Sequence, residues 1–129
     1  MFQVAVKNNP VPHSLEVKTD GAEAIAYLAS LQRTAYTDPA SLPDLILLDI
    51  KMPKADGHEV LQWVRHQLQF LAVPVVMLTS SNSRDDIVKS LGLGANSFLS
   101  KTGDITEYRN ILELTLKYWL QIHQRPTAR

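Results

Sequence analysis

Hydrophobic positions follow two different periods along the chain, and the two periods alternate. Short runs of β-forming residues at 45–48, 75–78 and 97–100 predict strands of a buried sheet. Between and after these runs, apolar residues recur every three or four positions, which predicts amphipathic helices. Strand and helix patterns in this alternation predict βα units around a parallel sheet, and hence an α/β fold.

Polar residues and glycine mark the predicted helix boundaries. One helix is predicted over residues 22–34, after a short strand at residues 15–17. Gly57 opens a second helix, and Asp104 with Glu107 has the spacing of a capping box for the last helix. The inward face of the helix at 22–34 is predicted to carry Ile25, Leu28 and Leu31.

Three of the predicted strands deliver chemically distinct side chains to one edge of the sheet. The three runs named above end on Asp49, on Thr79 and on Lys101. Open parallel sheets bind ligands outside the carboxyl ends of their strands. A carboxylate flanked by a hydroxyl and an ammonium fits the capture of a phosphoryl group, because negative charge builds on the phosphoryl oxygens and must meet donors.

Three segments around these strand ends resemble the receiver domains of two-component response regulators. They read LILLDIKMPKADGHEVL, VPVVMLTSS and NSFLSK, and they stand in the family's order. Asp49 precedes Thr79 by thirty residues and Lys101 by fifty-two, which is the usual family spacing. The resemblance implies a flavodoxin-like, doubly wound parallel sheet with strand order 2-1-3-4-5, the receiver fold. The Tyr-Trp-Leu sequence at 118–120 also resembles stand-alone receivers that serve phytochrome-type histidine kinases.

The resemblance implies a role for each residue at this edge. Asp49 matches the phosphoacceptor, which would carry the modification as 4-aspartylphosphate. Thr79 matches the donor to a phosphoryl oxygen, and Lys101 matches the cation that pairs with the carboxylate or the phosphate. Mg²⁺, the metal of the family, would be held by Asp49 and by the backbone carbonyl of Lys51. Phe98 matches an aromatic switch residue that moves with Thr79, and plain core packing is the alternative reading.

The start of the chain departs from the family pattern. A receiver opens with an apolar strand ending in acidic residues that complete the Mg²⁺ site. The acids among the first forty residues are unpaired and follow no apolar strand: Glu16, Asp20, Glu23 and Asp38. Residues 1–9 align either with the second half of the first helix, which needs no gap, or with a first strand at residues 2–6. We therefore expect a truncated or degenerate receiver that lacks the first strand and binds Mg²⁺ weakly or not at all.

Two expectations concern surfaces. A missing central strand would expose strand edges and apolar area, which predicts self-association as a homo-oligomer. An assembly or target surface is expected on one face of the last helix, with Tyr108, Leu112, Thr115 and Trp119. The histidines show no metal-ligand spacing and are expected on solvated surface: His13, His58, His66 and His123.

Composition narrows the class of protein. A length of 129 residues predicts a single domain over 1–129, with a frayed tail at 124–129. Thirteen basic and thirteen acidic residues cancel without forming a stripe, so we expect no binding to nucleic acid or to a membrane surface. Cysteine is absent, as suits a reducing compartment, and no apolar run reaches the length of a membrane span. We therefore expect a cytoplasmic protein.

Three functions compete. The first is a single-domain response regulator in two-component phosphorelay signalling, which accepts a phosphoryl group on Asp49 from a sensor histidine kinase, and the resemblance favours a phytochrome-like kinase. The alternative is a degenerate receiver that docks partners without phosphorylation. A phosphohydrolase of the haloacid-dehalogenase type is disfavoured, because it needs a second aspartate where this chain has Lys51. We therefore predict a signalling protein and not an enzyme.

Overall fold

The strands form a parallel sheet, as the sequence predicts. A computed structural model describes residues 16–38, 41–52, 54–80, 83–101 and 104–124. Within them, three strands stand in the order β1-β2-β3, with β2 in the centre. In the register, Asp49 lies opposite Leu78, and Leu78 lies opposite Leu99. The strands are β1 at Ile46–Asp49, β2 at Val75–Thr79 and β3 at Ser97–Ser100.

Helices alternate with these strands and run close to the predicted positions. They are α1 at Gly21–Ala35, α2 at Gly57–Arg65, α3 at Arg84–Gly92 and α4 at Ile105–Lys117. A 3-10 turn at Leu68–Phe70 follows α2, and α4 passes directly into a π-helical turn at Tyr118–Ile122. No helix in the described ranges is long and apolar enough to cross a membrane.

Side-chain caps fix where the helices begin. The Asp104 carboxylate accepts hydrogen bonds from the N–H groups of Thr106 (2.9 Å) and Glu107 (3.3 Å) at the start of α4. A reciprocal capping box forms at α2 instead, where Asp56 accepts from the Glu59 N–H at 2.9 Å and the Glu59 side chain accepts from the Asp56 N–H at 3.4 Å. This box anchors the helix that follows the loop after Asp49.

The core has two layers, one on each face of the sheet. Because side chains alternate along a strand, the buried residues of β2 divide between the layers. We call the layer against α1 and α2 the first cluster: Leu28, Ile46, Leu48, Ile50, Val60, Leu61, Val64, Phe70, Val73, Val75 and Met77. We call the layer against α4 the second cluster: Val76, Leu78, Tyr108, Leu112 and Leu116. Leu28 is buried as predicted, and Ile25 and Leu31 pack against the first cluster.

The predicted strand at residues 15–17 is not found in its described part. Glu16 and Val17 lie in no strand, and Leu15 lies outside the described residues. A strand needs a neighbour to complete its hydrogen-bond ladder, and within the described ranges β1 pairs only with β2. Both alignments of residues 1–9 concern the part of the chain that is not described, as does the tail from 125 onward.

The last helix presents a different face from the expected one. Tyr108 and Leu112 are fully buried in the second cluster, so they do not form an exposed assembly surface. The apolar stripe of α4 faces the sheet, where it packs against Val76 and Leu78 of β2 and removes them from water. The exposed apolar side chains of this region are Leu114, Tyr118 and Ile122.

The prediction of solvated histidines is wrong for His58. Its side chain is buried, and its Nε2 atom lies 2.9 Å from the hydroxyl oxygen of Ser90, which ties α2 to α3. A buried imidazole needs such a polar partner. His66 is exposed, His123 packs edge-on against Trp119 at 4.8 Å between ring centroids, and His13 lies outside the described residues.

Arg65 binds the segments at the amino ends of β2 and β3, on the opposite edge of the sheet from Asp49. Its guanidinium donates to the Asn96 side chain at 2.8 Å, and Asn96 in turn accepts from the Val75 N–H at 2.8 Å. Burial lowers the pKa of this guanidinium from its ordinary value. The guanidinium also donates to the carbonyls of Gly94, Phe70 and Val73. One side chain thus satisfies the carbonyls of several connecting turns.

We expect Gly57→Ala to destabilise the fold. A Cβ atom on Gly57 would lie 2.4 Å from the Asp49 carbonyl oxygen, which is rigid backbone at the end of β1. Overpacking of this kind costs roughly 1–3 kcal/mol of unfolding free energy, measurable by urea titration. Gly92→Ala is the matched control, because its Cβ would meet nothing within 4 Å. A helical alanine there should stabilise by roughly 0.5–1 kcal/mol, and equal stability of the two variants would contradict the steric argument.

Candidate functional site

Asp49 and Lys101 meet at the carboxyl edge of the sheet. The Lys101 ammonium donates to the Asp49 Oδ2 atom and forms an ion pair with it. Asp49 ends β1 and Lys101 follows β3, so the lysine side chain reaches across the end of β2. Two strand spacings amount to roughly 10 Å, which a long, flexible side chain can bridge together with the aspartate. Both side chains stay partly open to solvent, at 38% for Asp49 and 25% for Lys101.

The second oxygen of the Asp49 carboxylate is also held. Its Oδ1 atom accepts a hydrogen bond from the Lys51 N–H at 3.1 Å. One oxygen therefore faces a full positive charge and the other faces a backbone donor. Hydrogen bonds to both oxygens fix the orientation of the carboxylate. The site thus presents an oriented anionic oxygen nucleophile at a solvent-accessible edge.

The loop after Asp49 folds back tightly on the end of β1. The Gly57 N–H donates to the Ile50 carbonyl at 2.8 Å, and the Ile50 N–H donates to the Leu78 carbonyl at 3.1 Å. Lys54 adopts a positive φ of 70°, a turn conformation that residues with a Cβ seldom take. Its ammonium lies 3.8 Å from the carboxylate of Asp20, the N-cap of α1. This loop geometry holds the Lys51 N–H beside Asp49.

Asp20, an acid of the N-terminal region, lies near this loop. Its carboxylate accepts from the Glu23 N–H at 2.8 Å, and this hydrogen bond lowers the pKa of Asp20, while burial opposes the shift. The adjacent Gly21 packs so tightly against the Ala55 carbonyl that a Cβ would lie 1.9 Å from its oxygen. Asp20 therefore caps α1 at a point where α1 touches the loop.

Thr79 is placed differently from the two charged residues. It is buried at 2% exposure and lies opposite Ser100 in the register, one step beyond the level of Asp49. The pleat puts its side chain on the face of Met77, whereas Asp49 shares a face with Leu78. Its backbone carbonyl accepts from the Lys101 N–H at 2.6 Å. Thr79 thus contacts Lys101 through its main chain, and the side chain of Thr79 turns inward.

Phe98, the residue matched to an aromatic switch, lies in β3 and is half-buried. Its ring packs against the first cluster, on the same face of the sheet as Met77. This position suits core packing, and it also places Phe98 on the face toward which Thr79 turns.

The described residues do not fit a magnesium site. Mg²⁺ requires near-octahedral oxygen coordination and is usually held by one or two carboxylates with water and phosphate. In the described ranges, no group of three or more His, Cys, Asp or Glu side chains could hold a metal ion. Both Asp49 oxygens already accept N–H donors, and the Asp56 carboxylate caps α2. Lys51 is exposed, and its contact with the site in this structure is the backbone N–H that donates to Asp49.

Sequence reasoning missed the electrostatic link between Tyr108 and Asp49. Its side chain is fully buried in the second cluster, and within the described ranges its hydroxyl has no hydrogen-bond partner. Burial, followed by the negative charge of Asp49, raises the pKa of this phenol to about 12. Helical spacing alone placed Tyr108 on the apolar side of α4 and gave no sign of this link to Asp49.

Comparison with known proteins agrees with this geometry. Residues 11–113 match the family described as response regulator receiver domain. Response regulator Rcp1 of Synechocystis is 31% identical over 128 residues, covering 99% of this chain and 85% of its own length. The phosphorylated cyanobacterial phytochrome response regulator RcpA is 38% identical, with a TM-score of 0.82 over 97% of this chain and 87% of its own. The Mn²⁺-bound form of Rcp1 gives a TM-score of 0.79 at 31% identity, over 97% and 88%.

These matches confirm the resemblance and the flavodoxin-like receiver fold that the strand-end motifs implied. The match covers the three strands, the ion pair at their carboxyl edge and most of α4. Receiver domains are signalling modules of two-component systems and not enzymes, which confirms that expectation also. The chain belongs to the response regulator receiver domain family.

Proposed function

We propose that this chain accepts a phosphoryl group on Asp49 from a sensor histidine kinase. The observation that carries the proposal is the Asp49 carboxylate, held at the open edge of the sheet by Lys101 and by the Lys51 N–H. In the transfer, a carboxylate oxygen attacks phosphorus while the bond from phosphorus to the kinase histidine breaks. The product is an acyl phosphate on Asp49, and the freed histidine leaves with the bonding electron pair.

The chain's own donors match the charge that this product carries. A phosphoryl group adds oxygens with nearly two negative charges beside the carboxyl group. The Lys101 ammonium can follow that charge, because its flexible stem already reaches Asp49. Thr79 would donate its hydroxyl to a phosphoryl oxygen, which requires the buried side chain to turn outward. We propose that Phe98 repacks against the first cluster when Thr79 leaves that face.

The relatives support a phytochrome-like kinase as the partner. RcpA is described as a cyanobacterial phytochrome response regulator in its phosphorylated form, and a 34% identical structure is described as a bacteriophytochrome response regulator. We extend this partnership to the present chain, which we treat as a single receiver domain over residues 1–129. Binding of Mg²⁺ is proposed to be weak, because the described residues contain no group of three or more His, Cys, Asp or Glu side chains that could hold the ion.

A second candidate follows from that metal argument. A receiver that binds Mg²⁺ poorly could dock its partner without phosphorylation, as a degenerate interaction module. The two functions differ in one respect: phosphoryl transfer needs the Asp49 carboxylate as nucleophile, whereas docking alone does not.

Asp49→Asn should abolish phosphorylation, because an amide is not a nucleophile toward phosphorus. The measurement is phosphoryl incorporation from a phosphorylated histidine kinase, followed by intact-mass spectrometry and acid lability. Asp85→Asn is the matched control, since Asp85 is an exposed carboxylate in the first turn of α3. Incorporation into Asp49→Asn at the wild-type level would sink the proposal. Partner binding without any incorporation in the wild type would favour the docking module.

Mg²⁺ should bind the chain only in the millimolar range or above, because the ion gives up water reluctantly and the described residues offer it no cluster of three or more ligand side chains. Titration followed by tryptophan fluorescence would measure this affinity, since Trp63 and Trp119 flank the two core clusters. Asp49→Asn should remove the remaining response. A dissociation constant in the micromolar range would show that further acidic ligands complete the site.

We propose further that the chain forms a homo-oligomer through the exposed apolar side chains at the end of α4 and in the π-helical turn. Leu114 is 66% exposed, and Tyr118 and Ile122 follow at four-residue intervals. An amphipathic helix does not usually leave such a row uncovered.

Leu114→Glu should weaken self-association by roughly tenfold or more, because burial of one leucine contributes about 1.5–3 kcal/mol. Light scattering after size-exclusion chromatography would measure the mass at several concentrations. Leu68→Glu is the control, since Leu68 is 83% exposed and lies in the 3-10 turn after α2. Equal masses for wild type and Leu114→Glu would rule out this surface.

A further inference from the structure

The hydroxyl of Tyr108 is a buried donor that the resting structure leaves unused. Its side chain is fully buried, and its oxygen finds no hydrogen-bond partner among the residues that the structure describes. Buried hydroxyls nearly always find a partner, because an unsatisfied one loses its hydration without compensation. Phenylalanine would fill the same volume without this penalty. We therefore expect the hydroxyl to form its hydrogen bond in a state other than the resting one.

The position of Tyr108 connects it to the phosphoacceptor edge. Tyr108 lies in the first turn of α4, and α4 begins just beyond Lys101 at the carboxyl edge of the sheet. Its ring packs in the second cluster with Leu78, and Leu78 is the register partner of Asp49 on the same face. The Asp49 charge acts on the phenol strongly enough to contribute to its raised pKa. Both groups therefore lie on one side of the sheet, within electrostatic reach.

The resting arrangement explains why the hydroxyl has no acceptor. Each Asp49 oxygen already accepts a donor, one from Lys101 and one from the Lys51 N–H. A phosphoryl group on Asp49 would add three oxygens and further negative charge. It would also draw the Lys101 ammonium away from the carboxyl group, since the phosphate carries more charge than the remaining acyl oxygen.

We propose that the Tyr108 hydroxyl donates a hydrogen bond to the phosphorylated Asp49 group and so reports its phosphorylation to α4. The inference rests on the proposed function, because it names a positioning residue for that same site. Tyr108 is rigidly packed with Leu112 and Leu116, so a shift of its ring moves the first turns of α4 as a unit. The exposed row that begins at Leu114 continues from this helix.

The coupling runs in both directions. A contact made only with phosphorylated Asp49 stabilises that state relative to the resting state. A partner that binds α4 in the shifted position would therefore raise the stability of the phosphorylated site by the same factor. This route differs from one that runs through the side chains of Thr79 and Phe98, because those side chains lie on the opposite face of the sheet.

Tyr108→Phe tests the inference, because it removes only the hydroxyl. The probe is beryllofluoride, which adds to a carboxylate as a tetrahedral analogue of the phosphoryl group, with Mg²⁺ at saturating concentration and binding followed by fluorine NMR. We expect Tyr108→Phe to weaken beryllofluoride binding roughly tenfold, the effect of losing one hydrogen bond to a charged group. Tyr36→Phe is the matched control, since Tyr36 is 79% exposed, and it should bind as the wild type does.

Urea unfolding without beryllofluoride separates positioning from packing. Tyr108→Phe should be as stable as the wild type or more stable, since it loses no hydrogen bond in the resting state. Unchanged beryllofluoride binding in Tyr108→Phe would overturn this inference and leave the proposed function standing. Weaker binding with an equal loss of folding stability would show a packing role and also overturn it. A wild-type chain that takes up neither beryllofluoride nor a phosphoryl group would overturn both.

Discussion

The site depends on the burial of β2, the central strand, more than on the ion pair that marks it. All five residues of β2 are almost fully buried, and each large apolar side chain contributes roughly 1.5–3 kcal/mol. The pair between Lys101 and Asp49 is partly exposed, and such pairs contribute about 0–1 kcal/mol. The apolar strand therefore holds β1 and β3 at the spacing that the lysine must bridge. The ion pair is a consequence of the core and remains free to rearrange.

Much of this site could be predicted from the sequence because strand ends are local features. An apolar run that stops on a charged residue identifies both a strand and the edge that it reaches, and parallel pairing brings such edges together. Asp49 and Lys101 lie fifty-two residues apart and still meet. The inward turn of Thr79 could not be predicted in the same way. It depends on register, and one residue of register exchanges the two faces of a strand.

The helices show what hydrophobic periodicity and residue spacing cannot predict. Periodicity finds the apolar stripe of α4, yet it does not say whether that stripe faces the sheet or a partner. Tyr108 and Leu112 were therefore placed on the wrong surface. His58 was missed for a related reason, because its partner Ser90 comes from another helix, thirty-two residues away. The reciprocal capping box formed at Asp56 and Glu59, a pair with the same spacing as Asp104 and Glu107. Spacing alone does not tell which of two such pairs forms a reciprocal capping box.

The scarcity of metal ligands changes what the protein itself must supply. Where several carboxylates hold Mg²⁺, the ion balances most of the phosphoryl charge. In the described part of this chain no group of three or more acidic, histidine or cysteine side chains could hold the ion, so donors on the protein carry more of that task. Lys101 and the Lys51 N–H serve it directly. The buried phenol of Tyr108, on the same face of the sheet as Asp49, would add a donor without a positive charge. Such a donor would leave the resting carboxylate paired with Lys101 and act only once new acceptor oxygens arrive, which is how a signalling site keeps its two states apart.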